Sequence, residues 1–190
     1  MAYALPFLRD AKRRGHDMTT TTAVITDNPA ALADLLAALG RGLVVFDGCP
    51  AAGKTTLMRD MAARLDCKAF DADAYLNRKQ GTFVNALRFD ELGTVIRNVA
   101  TSSLVLMASL CARQVIERLG LSGVTFVYVQ RNSSVGLAAD LDDLDAETDE
   151  NIPDPIELNL MTALYREVRA YHTRYRPFHN ANLVYVRTSP

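Results

Sequence analysis

The chain has 190 residues and a formal net charge of −1; 49% of it is apolar and 23% charged. A disordered chain would carry fewer apolar residues and more net charge, and a collagen-like or low-complexity one would need far more than 10 Gly and 7 Pro. Three cysteines, Cys49, Cys67 and Cys111, form no CxxC and no metal-type spacing, so neither a disulfide scaffold nor a structural zinc site is expected.

One domain of ordinary size is expected, in a reducing cytoplasm. No apolar run approaches the roughly 18 residues of a membrane span, so no membrane partner is expected. Residues 1–26 read as an N-terminal arm. Its basic residues (Arg9, Lys12, Arg13 and Arg14) follow the short apolar stretch, the reverse of a signal peptide. Met18 is an alternative start.

From residue 27 onward strands and helices alternate. Asp27-Asn28-Pro29 caps a helix carried by Leu32, Leu35, Leu36 and Leu39 and closed by Gly40. Leu43–Phe46 is a continuous apolar run, the pattern of a strand buried on both faces. A glycine-rich loop and the helix of Thr55–Leu65 follow. Lys68–Asp73 is a second strand with acids at its end. Residues 81–100 read as mostly helical through Leu92, Val95, Ile96 and Val99. Ser103–Ala108 is a third strand, Cys111–Gly120 a helix, and Val124–Gln130 a fourth strand. A long helix over 156–176 stops at Pro177, and Asn182–Arg187 is the fifth strand. The alternation predicts an α/β fold, with a five-stranded, mostly parallel sheet between two helical layers.

Charge is unevenly spread. Residues 132–165 hold nine acids and no Lys or Arg, and seven of those acids lie within Asp140–Glu150. Residues 166–187 then carry five arginines and one glutamate. The acidic run reads either as a solvated loop or as a lid at 132–155 that acts through its charge.

Gly48-Cys49-Pro50-Ala51-Ala52-Gly53-Lys54-Thr55 matches G-x-x-x-x-G-K-[ST] in full, between a buried strand and an amphipathic helix. The glycines let the backbone curl its N–H groups around phosphate oxygens, and the helix N-terminus adds positive partial charge. Lys54 is a compact cation for the β- and γ-phosphates, and the Thr55 hydroxyl, followed by Thr56, is placed for Mg²⁺ and phosphate. The expected ligands are ATP and Mg²⁺.

These residues resemble the P-loop kinases of small molecules, such as nucleoside and nucleotide kinases, and more distantly the zeta-type toxins. The resemblance spans about residues 42–187. It implies a three-layer P-loop kinase fold, with the acceptor above the strand ends and an arginine-bearing lid closing over both substrates. The acids ending the second strand, Asp71 and Asp73, then match the group that orients or deprotonates the acceptor hydroxyl or holds the metal. Asp71 is slightly favoured as the base, and Asp73 suits a helix cap. Arg131, Arg166, Arg169, Arg174 and Arg176 are the lid-side candidates for phosphate, with Arg131 and Arg169 foremost. Arg88 and Arg166 are candidates on the acceptor side, as is Arg113. Tyr171 and Tyr175, one helical turn apart, read as packing residues.

Three departures stand out. Ser109 follows the third strand where Walker-B proteins place an acid, which weakens a motor or switch-type NTPase. The presumed lid is acidic. Only Thr188-Ser189-Pro190 follows the last strand, where related kinases hold the adenine. The leading reading is transfer of the γ-phosphoryl group of ATP to a nucleoside, a nucleotide or a related metabolite. The alternatives are a kinase of nucleic-acid ends or modified bases, and a regulatory or toxin-like nucleotide-binding protein.

Overall fold

The apolar runs are short and filled on both sides, so each strand needs a layer of helices on either face. A computed structural model shows how this is met; it describes residues 23–77, 81–100, 102–133, 138, 141–148 and 155–188. The strands are β1 (Val24–Thr26), β2 (Gly42–Asp47), β3 (Lys68–Asp71), β4 (Leu104–Ala108), β5 (Thr125–Asn132) and β6 (Leu183–Thr188). They form one sheet in the order β1-β6-β5-β2-β4-β3, and every pairing is parallel.

Helices α1 (Pro29–Ala37) and α2 (Lys54–Leu65) cover one face. Their Leu32, Leu36, Leu57, Met58 and Met61 pack on Val44, Phe46, Leu104 and Leu106. Helices α4 (Phe89–Ala100), α5 (Ala112–Leu119) and α8 (Ala163–Tyr175) cover the other. There Leu92, Ile96, Val115, Ile116, Val168 and Tyr171 meet Leu43, Val45, Val105 and Met107. Successive residues of β2 thus serve opposite layers, as pleating requires. Each fully buried large apolar side chain contributes about 1.5–3 kcal/mol, so packing rather than helix propensity fixes the strand that carries the loop.

Five strands are expected and six are found. The additional β1 is three residues long and pairs with β6 at the sheet edge, where Val24 and Ile25 remain exposed. So short an edge strand has no buried alternation for the sequence to display. The remainder of the expected N-terminal arm, residues 1–22, lies outside the described residues.

Two expected helices are each divided. In place of one helix over 156–176 there are α7 (Pro155–Leu160) and α8, separated where the Thr162 hydroxyl accepts from the Tyr165 N–H at 3.3 Å as a new N-cap. Within 81–100, α3 (Phe83–Ala86) is separated from α4 at Leu87, which bridges to Leu76. The Glu167 carboxylate on α8 accepts the first N–H groups of α3, from Phe83 at 2.6 Å and Val84 at 3.0 Å. That cap comes from 84 residues away, so no local pattern encodes it. A further short helix, α6 (Leu141–Asp145), lies in the acidic segment.

The central strand β2 has β4 on one side and β5 on the other. The chain reverses direction across the sheet at this strand, and ligands of such sheets bind at the carboxyl ends there. Those ends carry Asp47, Asp71, Ala108 with Ser109, Arg131 and Arg187.

Candidate functional site

The loop between β2 and α2 has the curled form its glycines permit. Gly48 has φ of 138°, and a Cβ there would sit 2.6 Å from the Val129 carbonyl oxygen, so only glycine lets β2 leave the sheet against β5. Gly53 has φ of 92° and serves as the N-cap of α2. Ala51 is also left-handed, at φ of 60°.

Lys54 is buried, and its Nζ donates to the carbonyl oxygens of Gly48 at 2.9 Å and Cys49 at 2.7 Å. The ammonium is thus held across the mouth of its own loop. Burial lowers its pKa, and the nearby Asp47 carboxylate works in the opposite sense.

A cleft of about 470 Å³ opens on this loop. Its walls include Gly53, Lys54, Thr55 and Thr56 from the loop and α2, Asp71 and Asp73 beyond β3, and Ser109 after β4. Asp71, expected as the base, is the cap: its Oδ1 accepts from the Asp73 N–H at 3.1 Å and starts the 3-10 turn over Ala72–Tyr75. Asp73, expected as the cap, keeps its carboxyl for the cleft. Partial burial and then the Asp71 charge push that carboxyl up, while Lys54 draws it down. The cap is therefore Asp71 rather than Asp73, and both acids line the cleft. The Ser109 hydroxyl donates to the Leu110 carbonyl at 2.7 Å.

Arg187, unassigned from sequence, also lines this cleft and lies against Gly53, where an added Cβ would strike its guanidinium. It stands opposite Arg131 in the β5–β6 register. A second cleft of about 610 Å³ shares Pro50 and Ala51 with the first and is lined by Arg131, Arg169, Asp143 and Tyr165. The loop is the ridge between the two.

The remaining arginines separate. Arg166 faces a third cleft with Arg174 and Glu167, and its guanidinium donates to the Met161 carbonyl at 2.8 Å. Arg166 and Arg169 thus do not serve one cleft. Arg88 donates to the carbonyls of Leu76 at 3.1 Å and Ala74 at 3.2 Å and pairs with Glu91, so it holds the turn that follows the two acids. Arg113 stacks on Phe126, 4.1 Å from the ring centroid. Arg174 lies over the Tyr175 ring at 5.1 Å, and Arg176 is the C-cap of α8.

Behind the loop lies a buried polar network that sequence reading did not find. Asp47 ends β2; its Oδ1 accepts the Gly48 N–H at 2.8 Å and its Oδ2 accepts the Tyr171 hydroxyl, whose oxygen accepts the Arg113 N–H at 3.1 Å. Burial pushes the Asp47 carboxyl up, against the pull of those donors. Tyr171 packs as expected, yet it also ties α8 to the loop strand.

Next to it, the Cys49 Sγ lies 3.6 Å from His172 Nε2 and 3.5 Å from the Tyr128 hydroxyl. His172 Nδ1 is 2.7 Å from Glu147 Oε1, and Glu147 also accepts from His179 Nδ1 at 2.9 Å and from the backbone of Phe178 and His179 at 3.1 Å each. Burial pushes the Glu147 carboxyl up, but the hydrogen bonds from His172 and His179 outweigh it and bring it down to about 2. Glu147 is 2% exposed and Asp143 8%, so this part of the acidic segment is not a solvated loop. Residues 134–137, 139–140 and 149–154 of the expected lid lie outside the described residues. Of this network only Cys49 belongs to a local motif; His172 and His179 lie more than 100 positions further along the chain, so no local pattern displays it.

Among the described residues no helix is long and apolar enough to cross a membrane, and no cluster of three or more His, Cys, Asp or Glu forms a metal cage. No protein-family model and no curated protein matches this chain. A solved structure described as that of a possible uridine kinase from Bacillus stearothermophilus is similar to it at 12% identity, over 83% of this chain and 96% of that one, with a TM-score of 0.51. At that identity the likeness speaks for architecture alone: the chain has the α/β fold of the P-loop kinases, with six strands in its parallel sheet.

Proposed function

We propose that the protein is an ATP-dependent phosphotransferase that acts on a hydroxyl of a small molecule, with a nucleoside as the favoured acceptor. One observation carries this reading. A phosphate-cradling loop with its lysine, and a carboxyl suited to accept a proton, line the same cleft. The name of the uridine-kinase structure supports the nucleoside class.

Phosphoryl transfer requires positioning and neutralisation of charge, plus one proton acceptor. The loop N–H groups and the N-terminus of α2 hold the β- and γ-phosphates. Lys54 leaves the carbonyls of Gly48 and Cys49 for the phosphate oxygens. Asp73 takes the proton of the acceptor hydroxyl as that oxygen bonds to the γ-phosphorus, and the bond from that phosphorus to the bridging oxygen of ADP breaks. A carboxyl raised toward neutrality accepts a proton better than an ordinary one. Arg131 and Arg169 approach from the other side of the loop, where a lid-side arginine would neutralise the transferring group. Arg187 lies against Gly53 in the same cleft and serves the nucleotide.

Mg²⁺ fits the donor set. It usually takes one or two protein oxygens and completes its shell with phosphates and water, and Thr55 and Asp71 line one cleft. When bound it would neutralise phosphate charge. The Thr55 hydroxyl and the Asp71 carboxylate would hold it.

The test is incubation of the purified chain with labelled ATP, Mg²⁺ and separate pools of nucleosides, nucleotides, sugars and DNA ends. Label should move to the nucleoside pool. Transfer to DNA alone, or to no pool while ATP still binds, would overturn the reading.

A further inference from the structure

The network behind the loop assigns a task to residues that no phosphate touches. We propose that His172, fixed by Glu147, positions the phosphate loop through Cys49 and so sets its affinity for nucleotide. This rests on the nucleotide-binding reading above.

Cys49 is the first variable residue of the loop, and it faces away from the ligand. Pro50 and Ala51 line the clefts, whereas the Cys49 side chain points inward and the residue is 1% exposed. Its Sγ meets the His172 imidazole, while its carbonyl oxygen accepts the Lys54 ammonium. One residue therefore joins the ammonium meant for phosphate to a fixed point in the interior.

The imidazole is held in one orientation. An ionised carboxylate only accepts, so the Glu147 oxygens require the proton of His172 on Nδ1. With that proton on Nδ1, Nε2 lies 3.6 Å from the Cys49 sulfur and can accept its hydrogen, and the Tyr128 hydroxyl lies 3.5 Å from the same sulfur. Glu147 comes from the turn after α6, His172 from α8, and Phe178 and His179 from the loop before β6. Three separate segments meet to fix one ring.

Burying a carboxylate and an imidazole costs free energy that apolar side chains of similar volume would not. Packing alone does not require this arrangement; it gives the N–H donors of the loop before β6 an acceptor and, through His172, a directional contact to the Cys49 sulfur. The consequence concerns binding. When phosphates draw Lys54 off the Gly48 and Cys49 carbonyls, an anchored loop stays in place with its N–H groups already turned inward. A loose loop would have to be ordered by the ligand, at a cost in affinity.

The experiment titrates the full chain with a non-hydrolysable ATP analogue, by calorimetry, in the wild type and in Cys49→Ala, Cys49→Ser, His172→Asn and Cys49→Ala/His172→Asn. Cys49→Ala and His172→Asn should each raise Kd about tenfold, the double variant no further, because both cut one connection. Cys49→Ser retains a donor for Nε2 and should stay within about threefold of the wild type. The His172 ring-proton resonance should move on addition of the analogue in the wild type and stay still in Cys49→Ala. Should His172→Asn not fold, the contrast between alanine and serine at Cys49 decides. Wild-type affinity in Cys49→Ala, equal losses in alanine and serine, or additive losses would each overturn the inference. A wild type that binds no analogue would instead overturn the nucleotide reading on which it rests.

Discussion

Replacing Glu147 by glutamine keeps the shape of the side chain and removes its charge. In the native protein this carboxylate accepts four hydrogen bonds and is 2% exposed. Its pKa falls from the ordinary 4.5 to about 2. At about 1.4 kcal/mol for each pH unit, that fall contributes about 3 kcal/mol of stability at neutral pH. Counting hydrogen bonds gives the same order. An amide presents an NH₂ group where two donors point, and each stranded buried donor costs about 1–3 kcal/mol. For a chain of this length, about 3 kcal/mol lowers Tm by about 6–12 °C.

The dependence on pH is the sharper check. A carboxyl with a lowered native pKa stabilises fully above its unfolded value of 4.5, and the contribution is lost as pH falls toward 2. Urea unfolding of wild type and Glu147→Gln should therefore differ by a constant amount between pH 7 and pH 6. By pH 3.5 the difference should have narrowed by about 1.4 kcal/mol. A difference under about 1 kcal/mol at pH 7 would refute the reasoning, as would one that does not narrow on acidification.

Lys54→Ala should lower kcat by roughly 10²–10³ and weaken triphosphate binding, measured by label transfer and calorimetry. Asp73→Asn should lower the transfer rate by roughly 10²–10⁴ with the affinity for ATP retained, and an unchanged rate removes it as the proton acceptor. Arg187→Ala should raise the nucleotide Kd by about fivefold to tenfold and flatten its dependence on salt, because a charge-assisted contact is lost. Gly48→Ala should cost about 1–3 kcal/mol in urea unfolding and abolish nucleotide binding, since its methyl group would meet the Val129 carbonyl.

The order of elements was legible because it is written locally. Apolar runs at Leu43–Phe46 and Leu104–Ala108, with helices between, permit little but a parallel sheet with two helical layers. The curled loop between β2 and α2 was legible for the same reason, since eight consecutive residues spell its glycine pattern. What escaped is long-range. The cap on α3 comes from Glu167, and the buried partner of Asp47 is Tyr171, 124 residues away. Residue type alone misled at Asp71 and Asp73. Both sit where a strand ends, and only the backbone shows that the Asp71 side chain bonds to the N–H of Asp73.

Charge shows the same limit. A run of seven acids in eleven residues suggests a face turned to water, yet Glu147 from that run lies in the interior with two histidines around it. The near-zero net charge is the balance of 21 basic and 22 acidic residues and says nothing of where they lie. Glu147 is held by four donors, and through His172 it stands two contacts from the loop after β2. Sequence distance therefore says little about coupling here. Glu147 and Cys49 are 98 positions apart, and a single imidazole separates them.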